Sequence, residues 1–259
     1  MAKVIAITNQ KGGVGKTSTA SAIVSGLRDY GFKILAVDLD PQGNLGFCLD
    51  AELDDSPTVY ELMKGTASVS DVIQRCRGID VIPANILLSG AELEFTKMGR
   101  EFLLKNGLAS ITCNYDYIVI DTPPALNLLT VNAYTASDGL IIPMIPEILS
   151  LLGISQLRET INLVKNVYNP RIEVLGVLLN KYDNRRLLTR DVEEMVQIIA
   201  KELNSKVFQT KIRSSVAVAE APAHSESIFE YAARSNVVRD YRQFITELIS
   251  HKEDETIND

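Results

Sequence analysis

Five apolar runs punctuate the chain: Val4-Ile-Ala-Ile7, Ile34-Leu-Ala-Val37, Tyr117-Ile-Val-Ile120, Leu140-Ile-Ile142 and Val174-Leu-Gly-Val-Leu-Leu179. None alternates apolar with polar residues, the pattern of strands covered on both faces. Helical patterns separate them, so strand follows helix follows strand at intervals of 25 to 40 residues. That rhythm predicts parallel strands joined by right-handed crossovers. The expected fold class is α/β, a single doubly wound, mostly parallel β-sheet with helices on both faces. Ligands of such sheets bind beyond the carboxyl ends of the strands.

The finer reading predicts strands over Lys3–Thr8, Lys33–Asp38, Ile79–Pro83, Tyr117–Ile120, Gly139–Pro143, Glu173–Leu179 and Lys206–Gln209. Helices are expected over Lys16–Tyr30 (stopped by Gly31), Leu87–Leu108, 127–136, 150–167, 189–203 and Asn236–Ser250, with two short ones in 57–77 split by Gly65. No linker, low-complexity tract or internal repeat divides the chain. One domain, 1–259, is expected, with a disordered acidic tail at 250–259.

The first strand leads through Asn9-Gln10 into Lys11-Gly12-Gly13-Val14-Gly15-Lys16-Thr17-Ser18, at the mouth of the first helix. Glycines let backbone N–H groups approach an anion closely. The helix N-terminus adds open donors and a positive dipole end. Lys16 can reach β- and γ-phosphates, and the Thr17 hydroxyl can hold Mg²⁺. Lys11 is an additional cation that can stabilise phosphate charge, as an arginine finger does.

Two further segments fall at strand ends. Asp38-Leu-Asp40-Pro-Gln-Gly-Asn44 places Asp38 and Asp40 on the same side of a strand. A carboxylate there can orient an attacking water or a water on Mg²⁺. Tyr117-Ile-Val-Ile-Asp121-Thr-Pro-Pro124 is four apolar residues closed by an acid, the form of a Walker B strand. Asn180, where another strand stops, offers a donor and an acceptor, the complement of adenine's N6/N7 edge.

The KGGVGKT loop, with Gln10 in place of the usual first glycine and Lys11 added, resembles the deviant Walker A loop of the ParA/MinD group of P-loop ATPases. The Asp38–Asn44 and Asp121–Pro124 segments resemble that group's second signature and switch region. Thr210-Lys-Ile-Arg213-Ser-Ser-Val-Ala-Val-Ala-Glu220-Ala-Pro222 looks like a block of its Soj-type partition ATPases, with Arg213-Ser-Ser where Pro-Arg-Asn is typical. Ser18 stands where threonine is usual. The resemblance implies ATP and Mg²⁺ as cofactors and slow hydrolysis to ADP and phosphate. It makes Lys11, Lys16 and Asp40 catalytic, with Asp40 positioning the water. It implies nucleotide binding by residues 11–18 and Asn180, and metal binding by Thr17, Asp40 and Asp121. Lys11 would cross to the partner's phosphates in an ATP-bound homodimer. A ParB-like centromere-binding protein would trigger release from non-specific DNA, in a cytoplasmic, nucleoid-associated setting. The alternative is a MinD-like spatial regulator acting on another surface.

Charge constrains the DNA expectation. The net charge is −7, so a uniformly basic surface is excluded. Residues 180–213 nonetheless hold eight basic against five acidic residues, a local excess of +3. Arg185, Arg186, Arg190, Lys211 and Arg213 are the candidate DNA contacts. From 240 to 259 the count reverses to two basic and six acidic residues, which argues against a basic membrane-binding terminal helix. Cys48, Cys76 and Cys113 are odd in number and far apart, so no disulfide framework, paired zinc motif or cluster-bridging cysteine pair is expected.

Overall fold

The unbroken apolar runs become the interior strands of one sheet, where helices cover both faces. A computed structural model describes residues 1–147, 154–183 and 188–257. Its elements are β1 (Lys3–Ile7), α1 (Lys16–Asp29), β2 (Ile34–Asp38), α2 (Asn44–Cys48), α3 (Val59–Lys64), α4 (Val69–Val72), β3 (Gln74–Cys76) and β4 (Ile79–Ile82). After them come α5 (Ala91–Glu94), α6 (Leu103–Leu108), β5 (Tyr117–Asp121), α7 (Leu128–Ala136), β6 (Gly139–Met144) and α8 (Ile154–Val167). The chain closes with β7 (Glu173–Leu179), α9 (Leu188–Glu202), α10 (Ala217–Glu220), α11 (Ile228–Tyr231) and α12 (Asn236–Ile257).

The seven strands are ordered β3-β4-β2-β5-β1-β6-β7, all parallel except the edge pair β3–β4. The doubly wound sheet expected from the sequence is therefore the fold observed. Two apolar clusters lie on its two faces. One gathers residues of α3 to α9 against one side of the sheet, the other those of α1, α2, α11 and α12 against the other side. β1 is central, flanked by β5 and β6, so the loop that leaves its carboxyl end is surrounded by other strand ends. Among the described residues no helix is long and apolar enough to cross a membrane.

Four local expectations differ from the structure. The helix expected over Leu87–Leu108 is broken into short helical turns, because Gly99 turns the backbone left-handed at φ +83°. The end of the 57–77 segment is the edge strand β3 rather than helix, turned into β4 by Arg77 and Gly78, both at positive φ. Two consecutive positive-φ residues suit a tight hairpin. Lys206–Gln209 makes only an isolated bridge, Val177 to Val207. Its next N–H groups, those of Gln209 and Thr210, donate instead to Glu247 of α12 at 2.8 and 3.0 Å. Finally, α12 runs to Ile257, past the helix end expected at Ser250. That stretch holds no glycine or proline to stop a helix.

Candidate nucleotide site

The loop after β1 needs a helix start free to face a ligand, and α1 supplies one. It has no side-chain N-cap and no acidic residue in its first turn, so its open N–H groups and positive end face the loop. Gly15 precedes it at φ +91°, where a Cβ would also stand 2.7 Å from the Asn180 amide nitrogen. Around Gly12 and Gly13 the space is open, with nothing within 4 Å of an added Cβ.

The loop is anchored from outside itself. Asn9 accepts from Lys11 N at 2.9 Å and donates to the Pro143 carbonyl of β6 at 2.8 Å. Asn180 donates through Nδ2 to the Val14 carbonyl (3.0 Å) and to Thr19 Oγ1 (3.1 Å). Lys181 Nζ donates to the Gly13 carbonyl at 2.9 Å. The sequence reading gave Asn180 both a donor and an acceptor for a base. In the fold the donor is engaged by the loop, and only Oδ1, buried and without a partner, remains.

Lys16 and Lys11 have opposite environments. Lys16 is buried, its Nζ donating to the Lys11 carbonyl at 3.3 Å. Burial pushes its pKa down, and the nearby Asp121 and Asp40 carboxylates partly restore it. Lys11 lies at the rim, its ammonium 3.0 Å from Glu147, a residue that sequence reasoning did not single out.

The carboxylates meet because β2 and β5 are in register, Asp38 beside Asp121. Asp38 is fully buried and accepts from the N–H groups of Asp40, Leu45 and Gly46 at 3.0, 2.9 and 3.1 Å. It braces the turn into α2. Burial, despite these donors, pushes its carboxyl up to about 7. Asp40 is also buried; one oxygen accepts from Gln42 N at 3.1 Å, and the other takes no hydrogen bond among the described residues.

Asp121 is fully buried, and neither carboxylate oxygen has a hydrogen-bond partner among the described residues. Burial first, then the Asp38 charge, raise its pKa well above the carboxylate range. The Thr17 hydroxyl lies near enough to favour the charged form, though outside hydrogen-bond geometry. An orphaned carboxylate beside a threonine hydroxyl fits Mg²⁺, which is held by one or two protein oxygens with phosphates and waters completing its shell. Among the described residues no group of three or more His, Cys, Asp or Glu forms a self-sufficient metal cage. The donor set suits a cation that arrives with a nucleotide.

Of the candidate DNA residues, only Lys211 and Arg213 have described side chains. Arg185 and Arg186 lie outside the described residues, and of Arg190 only the backbone, in α9, is described. Lys211 Nζ is 2.6 Å from Glu193 and 3.3 Å from Tyr182 Oη. Arg213 forms a bidentate pair with Asp240 at 2.6 and 2.8 Å. Both charges are thus compensated within the chain, which the sequence count could not register.

Residues 2–174 match the AAA domain family. Sporulation initiation inhibitor protein Soj of Bacillus subtilis (strain 168) is 42% identical over 255 residues, covering 97% of this chain and 100% of that protein. Chromosome partitioning protein ParA of Caulobacter vibrioides (strain NA1000 / CB15N) is 38% identical over 258 residues, covering 97% of this chain and 96% of that one. Among solved structures, cobyrinic acid a,c-diamide synthase from Mycobacterium smegmatis with bound ADP and magnesium superposes at a TM-score of 0.85. It shares 35% sequence identity, over 98% of this chain and 96% of that one. A deviant Walker A loop on a doubly wound sheet, matched along almost its whole length by such relatives, places this chain in the ParA/Soj family of the deviant Walker A ATPases.

Proposed function

We propose that this protein is an ATP- and Mg²⁺-dependent DNA-partitioning switch. ATP joins two copies through their P-loops, the dimer holds DNA without sequence preference, and hydrolysis stimulated by a centromere-binding partner releases it. The observation that carries this reading is the contrast between the two loop lysines. Lys16 is buried within the electrostatic reach of Asp121 and Asp40, where it serves the chain's own nucleotide. Lys11 stands at the rim with its side chain 35% exposed, beside the open space over Gly12 and Gly13, where a second copy can be reached.

Each residue then has a task. The loop N–H groups and Lys16 bind the phosphates. Thr17 and Asp121 hold Mg²⁺, which when bound offsets phosphate charge. Asp40, anchored by Gln42 N, orients the attacking water through its open oxygen. The ADP and magnesium of the Mycobacterium smegmatis structure and the partition role named for the Caulobacter protein support this assignment. Turnover is slow, since a switch must persist in its bound state and the loop itself contains no arginine.

Gel filtration and DNA retention with ATP, ADP and no nucleotide test the proposal. Wild type should dimerise and retain DNA with ATP alone. Lys16→Gln should abolish both, and Lys11→Ala should bind ATP yet remain a monomer. ATP-dependent retention that survives Lys16→Gln would sink the switch.

A further inference from the structure

Beside the P-loop lies a crevice of about 60 Å³, bordered by Gly15 and Ser18, by Asn180 and Lys181, and by Ile212 and Arg213. A base whose phosphates sit on the P-loop can lie along this crevice, against the residues that frame it.

Two planar groups line it, Tyr241, which is buried, and Arg213, which is exposed. The Arg213 backbone is stitched to the strand end that carries Asn180: Ile212 N donates to the Leu179 carbonyl at 2.8 Å, and Tyr182 N to the Ile212 carbonyl at 2.9 Å. Its guanidinium is fixed by Asp240 of α12, Nε to Oδ2 at 2.6 Å and Nη2 to Oδ1 at 2.8 Å. Arg213 N donates to the same Oδ2 at 3.1 Å. Such a fork occupies the edge of the guanidinium and leaves its faces available. The exposures agree, with the Arg213 side chain 49% exposed and that of Asp240 only 12%.

We propose that Arg213, oriented by Asp240, is the platform on which the nucleobase of the bound nucleotide stacks. The inference rests on the nucleotide-binding reading above and adds a residue to it. Guanidinium planes stack on base faces. The buried, unpartnered Asn180 oxygen borders the same crevice and can accept from an exocyclic amine at the base's edge. Arg213 is therefore a base-contacting residue and Asp240 a positioning residue, and neither belongs to the DNA-facing surface. This is also where Arg213-Ser-Ser replaces the Pro-Arg-Asn of the family pattern.

Calorimetric titration of the full chain with Mg²⁺·ATP and with Mg²⁺ and inorganic tripolyphosphate separates base from phosphate contacts. Arg213→Met and Arg213→Lys should each weaken ATP about tenfold, the scale of one stacking contact, because lysine keeps the charge without the plane. Tripolyphosphate affinity should be unchanged, as should DNA retention at saturating ATP. Asp240→Asn should weaken ATP by less than either Arg213 variant, again sparing tripolyphosphate. The proposal is overturned if both Arg213 variants bind ATP like wild type, or if tripolyphosphate weakens equally. Lost DNA retention with unchanged ATP affinity would overturn it too, returning Arg213 to the DNA surface. A wild type that takes up no ATP removes the nucleotide reading itself, a different failure.

Discussion

The Lys11 ammonium lies 3.0 Å from the Glu147 carboxylate, across 136 residues of sequence. The loop after β6 thus holds, within one chain, the lysine proposed to serve a second chain. Reaching a partner's phosphates requires Lys11 to leave this pair. A partly exposed pair is worth roughly 0.2–1 kcal/mol, a shift of at most about fivefold in an equilibrium. Glu147→Gln should therefore lower the ATP concentration at half-dimerisation by up to about fivefold, read by light scattering across an ATP titration. A midpoint that rises would show that Glu147 assists the dimer instead.

Asp121 makes the empty protein less stable than it could be. Its carboxylate is buried with no hydrogen-bond partner among the described residues, and its neighbour Asp38 is pushed up to about 7. Both folded-state values exceed those of the unfolded chain, so the folded chain binds protons more tightly. Each contributes stability that is full below the usual carboxylate range; that of Asp38 is lost as pH rises through about 7, that of Asp121 as pH rises through its own raised value. Asp121→Asn removes a buried charge without removing a hydrogen bond. Without ligand it should raise Tm at pH 8, by about 2–4 °C per kcal/mol in a chain of this size, and by less at pH 5. With Mg²⁺·ADP the order should reverse, wild type gaining and the variant not. Differential scanning fluorimetry at the two pH values checks both signs.

The strands that β1 gathers around it were legible because burial on both faces leaves an unbroken apolar run. The edge strand β3 was not, since Gln74-Arg75-Cys76 is short and half polar. Lys206–Gln209 has the composition of a strand, but whether its N–H groups find a ladder depends on Glu247, 37 residues beyond Thr210. The P-loop was readable for a local reason: the left-handed backbone at Gly13 and Gly15 restricts which residues fit. Its anchors were not. Thr19, Lys181 and Glu147 reach their partners across 161, 168 and 136 residues, distances at which sequence spacing carries no signal. The same holds for Arg213, a countable positive charge that the fold commits to Asp240.

Asp38 holds α2 by accepting three buried N–H groups, those of Asp40, Leu45 and Gly46. Asp38→Ala leaves all three unpaired, and a buried donor left unpaired costs about 1–3 kcal/mol. The loss should concentrate locally, because α2 is a five-residue helix, too short to hold its own backbone. Amide exchange at Leu45 and Gly46 should accelerate by at least about tenfold, with the amides of β1 and β5 slowed or unchanged relative to global stability. Uniform acceleration across the sheet would mean that Asp38 stabilises the whole fold rather than this turn.

Salt dependence should sort the basic residues. Each phosphate contact contributes roughly −0.9 to the slope of log K against log salt. Arg185, Arg186 and Arg190 are the remaining candidates for such contacts, since Lys211 already sits 2.6 Å from Glu193 and over the Tyr182 ring. Arg185/Arg186/Arg190→Glu should flatten the slope by about 2.7 per chain and about twice that in a dimer, provided ATP is saturating. Lys211→Gln should leave the slope unaltered, because the charge removed was compensated internally rather than by counterions shed on binding. Filter retention of labelled duplex over a range of potassium chloride measures both. A slope that falls by about one unit for Lys211→Gln would show that Lys211 leaves Glu193 for a phosphate, and would move the DNA surface onto the segment beside Arg213.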